Sequence, residues 1–377
     1  MSVVKSLCLK RASSSISMKK PPFYTVFPQK KLVNRILFEL DSKLTLPKLY
    51  PVYESIYCSL GKNEPEFLIP TSFRASDVMI MKKVLEKLRH RTKSVNRNLV
   101  DLENELLEKA AEMGDSDAIA VLSFKVLKAP DKNSSEDITH AKKLIKELYQ
   151  LRHALTIKLT GDFAFKNMDF DNAGIYYNQF LAIERDTYRA GEVYGKLGII
   201  SFKKPNLIEA ERCLLASIRL CPLESIVQSY YHLAQIYMDS EPLKARALME
   251  SAASEGFKES FRLLGFLEMN YFKNYNKSLE WFKLGMELYD VECFIGYFDC
   301  CVKLQAWRKA GNCLKSMQNL SRASMSAETA VQSFLSSRKA HIQKLETYSN
   351  AVVSPHKLAD VASVKDGELQ RENRWKL

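Results

Sequence analysis

The chain is poor in glycine and proline, with 13 and 12 in 377 residues. It has no stretch that alternates with period two and no Asn-Gly or Asp-Gly turn between β-branched runs, which argues against a sheet. It has no run of 18 apolar residues, so nothing in it reads as a bilayer span. The motifs of nucleotide-binding loops, zinc peptidases and serine hydrolases are missing. Its six histidines stand far apart, none at metal-ligand spacing from another. Eight cysteines, at 8, 58, 213, 221, 293, 300, 301 and 313, form no Cys-x-x-Cys pair. They read as small buried hydrophobes in a reducing compartment. The adjacent Cys300 and Cys301 would project about 100° apart on a helix, which disfavours a shared metal. His232, within SYYHLAQIY, reads as a packed helix residue. The acid pairs Glu103/Glu105 and Glu209/Glu211 read as solvated helix faces. These absences leave no cofactor, no metal and no catalytic residue to nominate, and the chain reads as a non-enzyme.

Acidic residues are missing altogether before Glu39, while eight lysines and arginines precede it. Two-thirds of the net charge of +12 therefore lies in the first tenth of the chain. The rest, 48 basic residues against 44 acidic, is close to neutral and a poor partner for a phosphate backbone. An acid-free, serine-rich, basic start fits a mitochondrial transit peptide, assigned to residues 1–26 and expected to be disordered.

What is present is helical periodicity, almost everywhere after residue 30. KKLVNRILFELD carries Leu32, Val33, Ile36, Leu37 and Leu40 on one side, and SDVMIMKKVLEKLRHR carries Val78, Met81, Leu85 and Leu88. A Pro-punctuated segment, with Pro47, Pro51, Pro65 and Pro70, separates them. These elements make an N-terminal helical extension, 27–98. From residue 99 amphipathic segments come in pairs: VDLENELLEKAAEMGD with SDAIAVLSFKVL, DITHAKKLIKELYQL with ALTIKLTGDFAFKN, FDNAGIYYNQFLAIE with AGEVYGKLGIISFKK, and onward to a final helix ending near residue 348. Self-similarity at 34 to 40 residues marks a helical solenoid, 99–348, with a C-terminal capping helix. Residues 349–377, where the period fades, read as a mobile tail.

In KLGIISFKKPNLIEAERCLLASIRLCP, the small residues resemble a tetratricopeptide repeat. Leu197 and Gly198 match the first helix, Ala210 and Ser217 the second, and Pro222 the closing proline. The preceding unit matches at Gly161, Ala173 and Tyr177 but departs at Phe180 and Arg185. A later one offers Leu264, Gly265, Trp281, Phe282 and Gly285. KAAEMGDSDAIAVL and ESAASEGFKESFRLLG have a Sel1-like flavour. The resemblance implies an all-α fold, a tetratricopeptide/Sel1-like helical-hairpin solenoid, in which small residues let paired helices approach closely.

Two candidate surfaces follow. Carrying the repeat's groove positions over gives Lys158, Asp162, Phe165 and Lys166 in one unit and Ile199, Phe202 and Lys203 in the next. Arg262, Phe266 and Met269, then Tyr297 and Cys300, complete a wall suited to an extended or helical peptide. The second surface is KKVLEKLRHRTKSVNR, whose Lys82, Lys83, Lys87, Arg89, Arg91, Lys93 and Arg97 suit anionic lipid. A solvated face fits these residues equally well.

Beyond the repeats, FPQKKLVNRILFELDSKLT, RASDVMIMKKVLEKLR and YMDSEPLKARALMESAASEGFKESFRLLGFLEMNYF resemble a small fungal family. Its members are mitochondrial matrix proteins required to export the C-terminal tail of cytochrome c oxidase subunit II. The resemblance runs from about Phe27 to about Ile342. It implies a peripheral protein on the matrix face of the inner membrane, working with an Oxa-type insertase and carrying no catalytic residues. The rival expectation is a mitochondrial RNA-binding or translation factor. The irregular repeat spacing and near-neutral body count against it.

Overall fold

The structure, a computed structural model, describes residues 21–60, 69–70, 72–93, 95–323 and 325–353. Every regular element among them is helical, and the chain divides into two compact units, Met1–Arg185 and Asp186–Leu377. The expected all-α fold of helical hairpins is the fold found.

The first unit opens with α1 (Phe23–Val26), α2 (Lys30–Glu39), α3 (Leu46–Ser59), α4 (Ala75–Thr92), α5 (Arg97–Glu112) and α6 (Ser116–Lys128). They share one core, running from Phe23 to Leu122. At its start Phe23, Phe27, Tyr50, Tyr53 and Tyr57 interlock, with ring centroids 4.9 to 5.4 Å apart. The Tyr57 hydroxyl donates to the Pro21 carbonyl at 2.9 Å, and the fully buried Tyr53 hydroxyl to the Met81 carbonyl at 2.8 Å. This corrects the expectation of disorder through residue 26. Phe23 and Val26 are buried, so the folded body includes at least residues 21–26, and the rest of the proposed transit peptide, 1–20, lies outside the described residues.

The Pro-punctuated stretch that holds Pro47 and Pro51 is a 14-residue helix, α3. Pro47 lies in the first turn, where its missing N–H costs nothing. Pro51 lies inside, at a penalty of about 3 kcal/mol. Leu49, Val52, Tyr53, Ile56 and Tyr57 are all buried at helical spacing, each contributing about 1.5–3 kcal/mol, which outweighs it. The packing also runs through the boundary drawn at residue 98: Leu102, Leu106, Ala110 and Ala111 of α5 belong to the same core as Val84 and Leu88 of α4.

The unit continues with α7 (Ser135–Gln150), α8 (Ala154–Lys166) and α9 (Phe170–Ile183). The second unit holds α10 (Tyr188–Lys203), α11 (Leu207–Leu220), α12 (Val227–Tyr237), α13 (Pro242–Ser254), α14 (Lys258–Asn270), α15 (Tyr275–Glu287), α16 (Val291–Lys303), α17 (Trp307–Ala323), α18 (Met325–Ser337) and α19 (Lys339–Val353). Consecutive helices pack as hairpins, α4/α5, α6/α7 and α8/α9 in the first unit and α10/α11, α12/α13, α14/α15 and α16/α17 in the second, with α15 also packed closely on α16. Within the second unit α10 also packs on α12, and α14 on α16, which is the stacking of a hairpin repeat. Pairing segments in order from residue 99 is therefore out of phase by one helix from α5 onward, whereas the register set by Gly198 and Ala210 is the one observed. α19 continues to Val353, past the end assigned to the capping helix; 354–377 lie outside the described residues.

Several turns between consecutive helices share a construction. At the ends of α5, α7, α8, α13, α15 and α16 a left-handed residue follows the helix: Gly114, Arg152, Met168, Gly256, Tyr289 and Gln305. The next N–H then bonds back five residues, as in Asp115 to Ala110 and Asp169 to Ala164 at 3.0 Å. This is the Schellman closure, which satisfies carbonyls left open at the helix end. Asp115 and Asp169 then cap the following helices.

Candidate functional site

The repeat-packing residues behave as their sizes require. A Cβ on Gly198 would lie 2.6 Å from Leu214 Cγ, and one on Gly161 would lie 2.7 Å from Tyr177 Cε1. Gly265 is closed off by Phe282 in the same way, at 2.3 Å. Ala173, Ala210 and Ser217 are fully buried. Ser217 Oγ meets Ser229 Oγ at 3.2 Å, joining α11 to α12. Pro222 is exposed and ends the hairpin by leading into a one-turn 3-10 helix.

The candidate groove residues divide. In the first unit, Lys158 is 7% exposed and pairs with Asp162 at 3.4 Å. Asp162 also accepts the Tyr177 hydroxyl at 2.9 Å. Burial, with that carboxylate beside it, drives the Tyr177 phenol far above its ordinary range. Phe165 packs edge-on against Phe170, and Lys166 is exposed. Asp162 thus ties α8 to α9 through Tyr177, and Lys158 is buried beside it within α8, so this pair does not present itself to a guest. In the second unit Ile199 and Cys300 are corrections too. Ile199 is buried, and Cys300 is fully enclosed with its sulfur 3.3 Å from Ser278 Oγ. Cys300 points inward because its sulfur packs on Ser278 of the preceding helix, α15, and not toward a groove.

What remains on α10, α12 and α14 forms a continuous run. The Phe202 ring lies 5.1 Å from the His232 ring, and His232 lies 5.3 Å from Tyr231. Tyr231 packs against Phe257 at 5.0 Å, and its hydroxyl is bonded by Arg262. Phe266, one turn beyond Arg262, is half-buried against Phe282 with centroids 5.0 Å apart. Lys203 is exposed at the Phe202 end. Met269 and Tyr297 are partly buried against the last core of the unit. Burial lowers the His232 pKa, so its imidazole is neutral at physiological pH and acts as a flat packing surface. Tyr231 and His232 were not among the sequence candidates. The signal was available: Leu233-Ala234 stands to Tyr231 as Leu264-Gly265 stands to Arg262.

The basic segment also divides. Arg89 turns inward and donates from Nε and Nη2 to the Glu103 carboxylate at 3.2 and 3.3 Å. Glu103 is 5% exposed, which corrects its reading as a solvated acid and removes Arg89 from any lipid-facing set. Lys82 pairs with Glu86 at 2.6 Å and Arg91 with Glu39 at 2.6 Å. Lys87, Lys93 and Arg97 are exposed and Lys83 is half-exposed.

No group of three or more metal-ligating side chains occurs among the described residues. The thiols of Cys213, Cys293, Cys300, Cys301 and Cys313 are all raised by burial. Cys213, Cys293 and Cys313 are pushed up to about 12, and Cys301 to about 11. At pH 8 a thiol of pKa 12 is thiolate in about one molecule in ten thousand, too little for a nucleophile. Cys58 alone among the described thiols is exposed. In the native protein a disulfide reagent should modify Cys58 rapidly and the six buried thiols only on unfolding, as mass mapping of labelled peptides would show. Rapid native labelling of Cys300 or Cys301 would contradict this assignment.

Comparison with known proteins adds a relationship that the geometry alone does not carry. Over 335 residues the chain is 45% identical to "Protein MSS2, mitochondrial" of Saccharomyces cerevisiae, spanning 86% of this chain and 94% of that protein. This chain belongs to the MSS2 family. A family model for the MSS2 N-terminal domain matches residues 19–115, which cover α1 to α5 and their share of the first core. Among solved structures, the crystal structure of PilW, a type IV pilus biogenesis factor, aligns with a TM-score of 0.45 at 13% identity. It covers 57% of this chain and 98% of that one. Yeast Tom70 aligns with a TM-score of 0.40 at 11% identity, covering 78% and 72%.

Proposed function

We propose that this MSS2-family chain is a non-catalytic assembly factor on the matrix face of the mitochondrial inner membrane. In this reading it holds the C-terminal tail of cytochrome c oxidase subunit II for an Oxa-type insertase. The family relationship supports the mitochondrial setting, and the basic, acid-free start supports delivery there by a transit peptide. The observation that carries the binding role is the set Phe202, His232, Arg262 and Phe266, half-buried across the first helices of consecutive hairpins and backed by the buried Tyr231. Aromatic and arginine side chains anchored in a packed scaffold supply contact area at little entropic cost, as binding hot spots do. The chain needs no energy source of its own. Holding the tail near the insertase raises its effective concentration, and the membrane potential or folding beyond the membrane completes transfer.

The test is deletion of the gene, followed by protease mapping of subunit II in mitoplasts. The expected outcome is full synthesis of the subunit with its tail protected on the matrix side. Loss of synthesis would instead identify a translation factor. Re-expression of the Phe202→Ala/Phe266→Ala chain should leave the tail protected while the protein itself accumulates.

A further inference from the structure

We propose that the outward stripe shared by α2 and α4 is a docking surface for anionic phospholipid. Phe38 is 87% exposed, close to the end of α2, while Val33, Ile36 and Leu37 of the same helix are buried in the core. The phenylalanine is therefore a projection on the polar side, not the fringe of the helix's core face. Arg35 and Lys31, one and two turns earlier, are exposed on the same side. α4 contributes Lys83, Lys87 and Arg91 at one-turn spacing. The bond from Arg91 Nη2 to Glu39 Oε2, 2.6 Å, sets that row beside the end of α2. Glu39 is the acid of this stripe, and Arg35 approaches its other oxygen at 3.4 Å. The two arginines hold the Glu39 carboxyl below the usual range, so it stays ionised and paired. Five cations thus surround one neutralised acid and a protruding ring. Just past α4, Val95 is 84% exposed between Lys93 and Arg97.

Cations that reach phosphate headgroups around an apolar side chain that enters the acyl boundary are the makings of an interfacial site. The surplus of positive charge selects anionic lipid over neutral lipid. The surface differs from the one read in the sequence. Lys82 drops out because its side chain is largely buried, and Arg89 because it turns inward to the buried Glu103, while α2 enters with its phenylalanine. The proposal deepens the inner-membrane location given above and is independent of what the second unit binds.

The test is co-sedimentation of the full chain with phosphatidylcholine vesicles, with and without phosphatidylglycerol. Binding is expected to the mixed vesicles only, falling with salt. Lys31→Gln and Lys87→Gln should each weaken it about fivefold, the effect of one charge near an anionic surface. Phe38→Ser should weaken it further and abolish what binding survives at high salt. A Phe38→Trp chain should be quenched by brominated acyl chains. All three positions are exposed, so thermal melts should match those of the parent chain. Binding unaltered by Phe38→Ser and Lys87→Gln, or absent from anionic vesicles altogether, would overturn the proposal. If the Phe38→Ser chain loses vesicle binding yet still exports the tail, the surface stands and the location in export does not depend on it.

Discussion

Replacing Phe282 by alanine should remove about 3–5 kcal/mol of stability, a large part of what holds a domain folded. Phe282 projects from α15 and is fully buried. It lies against bare backbone on two other helices: a Cβ on Gly265 of α14 would come within 2.3 Å of its Cε1, and one on Gly296 of α16 within 2.3 Å of its Cζ. Phe266 meets it edge-on. Both glycines accept a helix penalty of about 1 kcal/mol each because the ring occupies the space of their side chains. That reciprocity makes the prediction specific. Gly296→Ala alone should destabilise by about 1–3 kcal/mol, since the ring is trapped between two backbones and cannot retreat. In a Phe282→Ala background the same change should become neutral or stabilising. Urea unfolding followed through Trp281 and Trp307, both in the second unit, reads the effect. Additive costs in the double variant would show that the ring does not set the approach of these helices.

The same reciprocity explains how much of the architecture was legible beforehand. Gly198, Ala210 and Gly265 record where a neighbour needs room, so the hairpin register could be read from them. Merely counting amphipathic segments could not give the phase, because a helix of either kind has an apolar stripe. α3 was hidden since Pro47 and Pro51 signal a break locally, while the burial that outweighs Pro51 comes from α1 and α4, distant in sequence. Glu103 misled for a related reason. Its partner Arg89 lies 14 residues away on another helix, and a carboxylate looks solvated until that guanidinium is brought to it. Of the candidate site, Phe202, Arg262 and Phe266 were legible because repeat register alone places them. Ile199 and Cys300 share that register, but the sequence does not state that neighbouring helices enclose them.

The second large effect concerns Glu268, whose side chain is about 1% exposed on α14. Its carboxylate lies 3.0 Å from Lys277 Nζ and 3.6 Å from Arg246 Nη1. Lys277 also reaches Glu250 at 2.9 Å, and the Arg246 guanidinium rests 4.7 Å from the centre of the Phe272 ring. The four charges balance and tie α13, α14 and α15 together. Breaking a buried pair from one side is the costly change, because it leaves a desolvated charge behind. Lys277→Met should therefore cost about 3 kcal/mol, the lower end of that range since the lysine is a third exposed. Glu268→Leu should cost less, for Lys277 and Arg246 both keep Glu250 at the half-exposed rim. The pH dependence fixes the sign independently. Burial alone would lower the Lys277 pKa, but its bonds to Glu250 and Glu268 prevail and raise it above the ordinary 10.5. Stability drawn from this lysine is thus complete at neutral pH and is lost only as pH rises past its ordinary value toward the raised one. Urea midpoints taken from neutral pH upward should fall more steeply for the parent chain than for Lys277→Met. If Glu268→Leu proves the more damaging change, or both alkaline limbs coincide, the carboxylate is held by packing and not by these two cations.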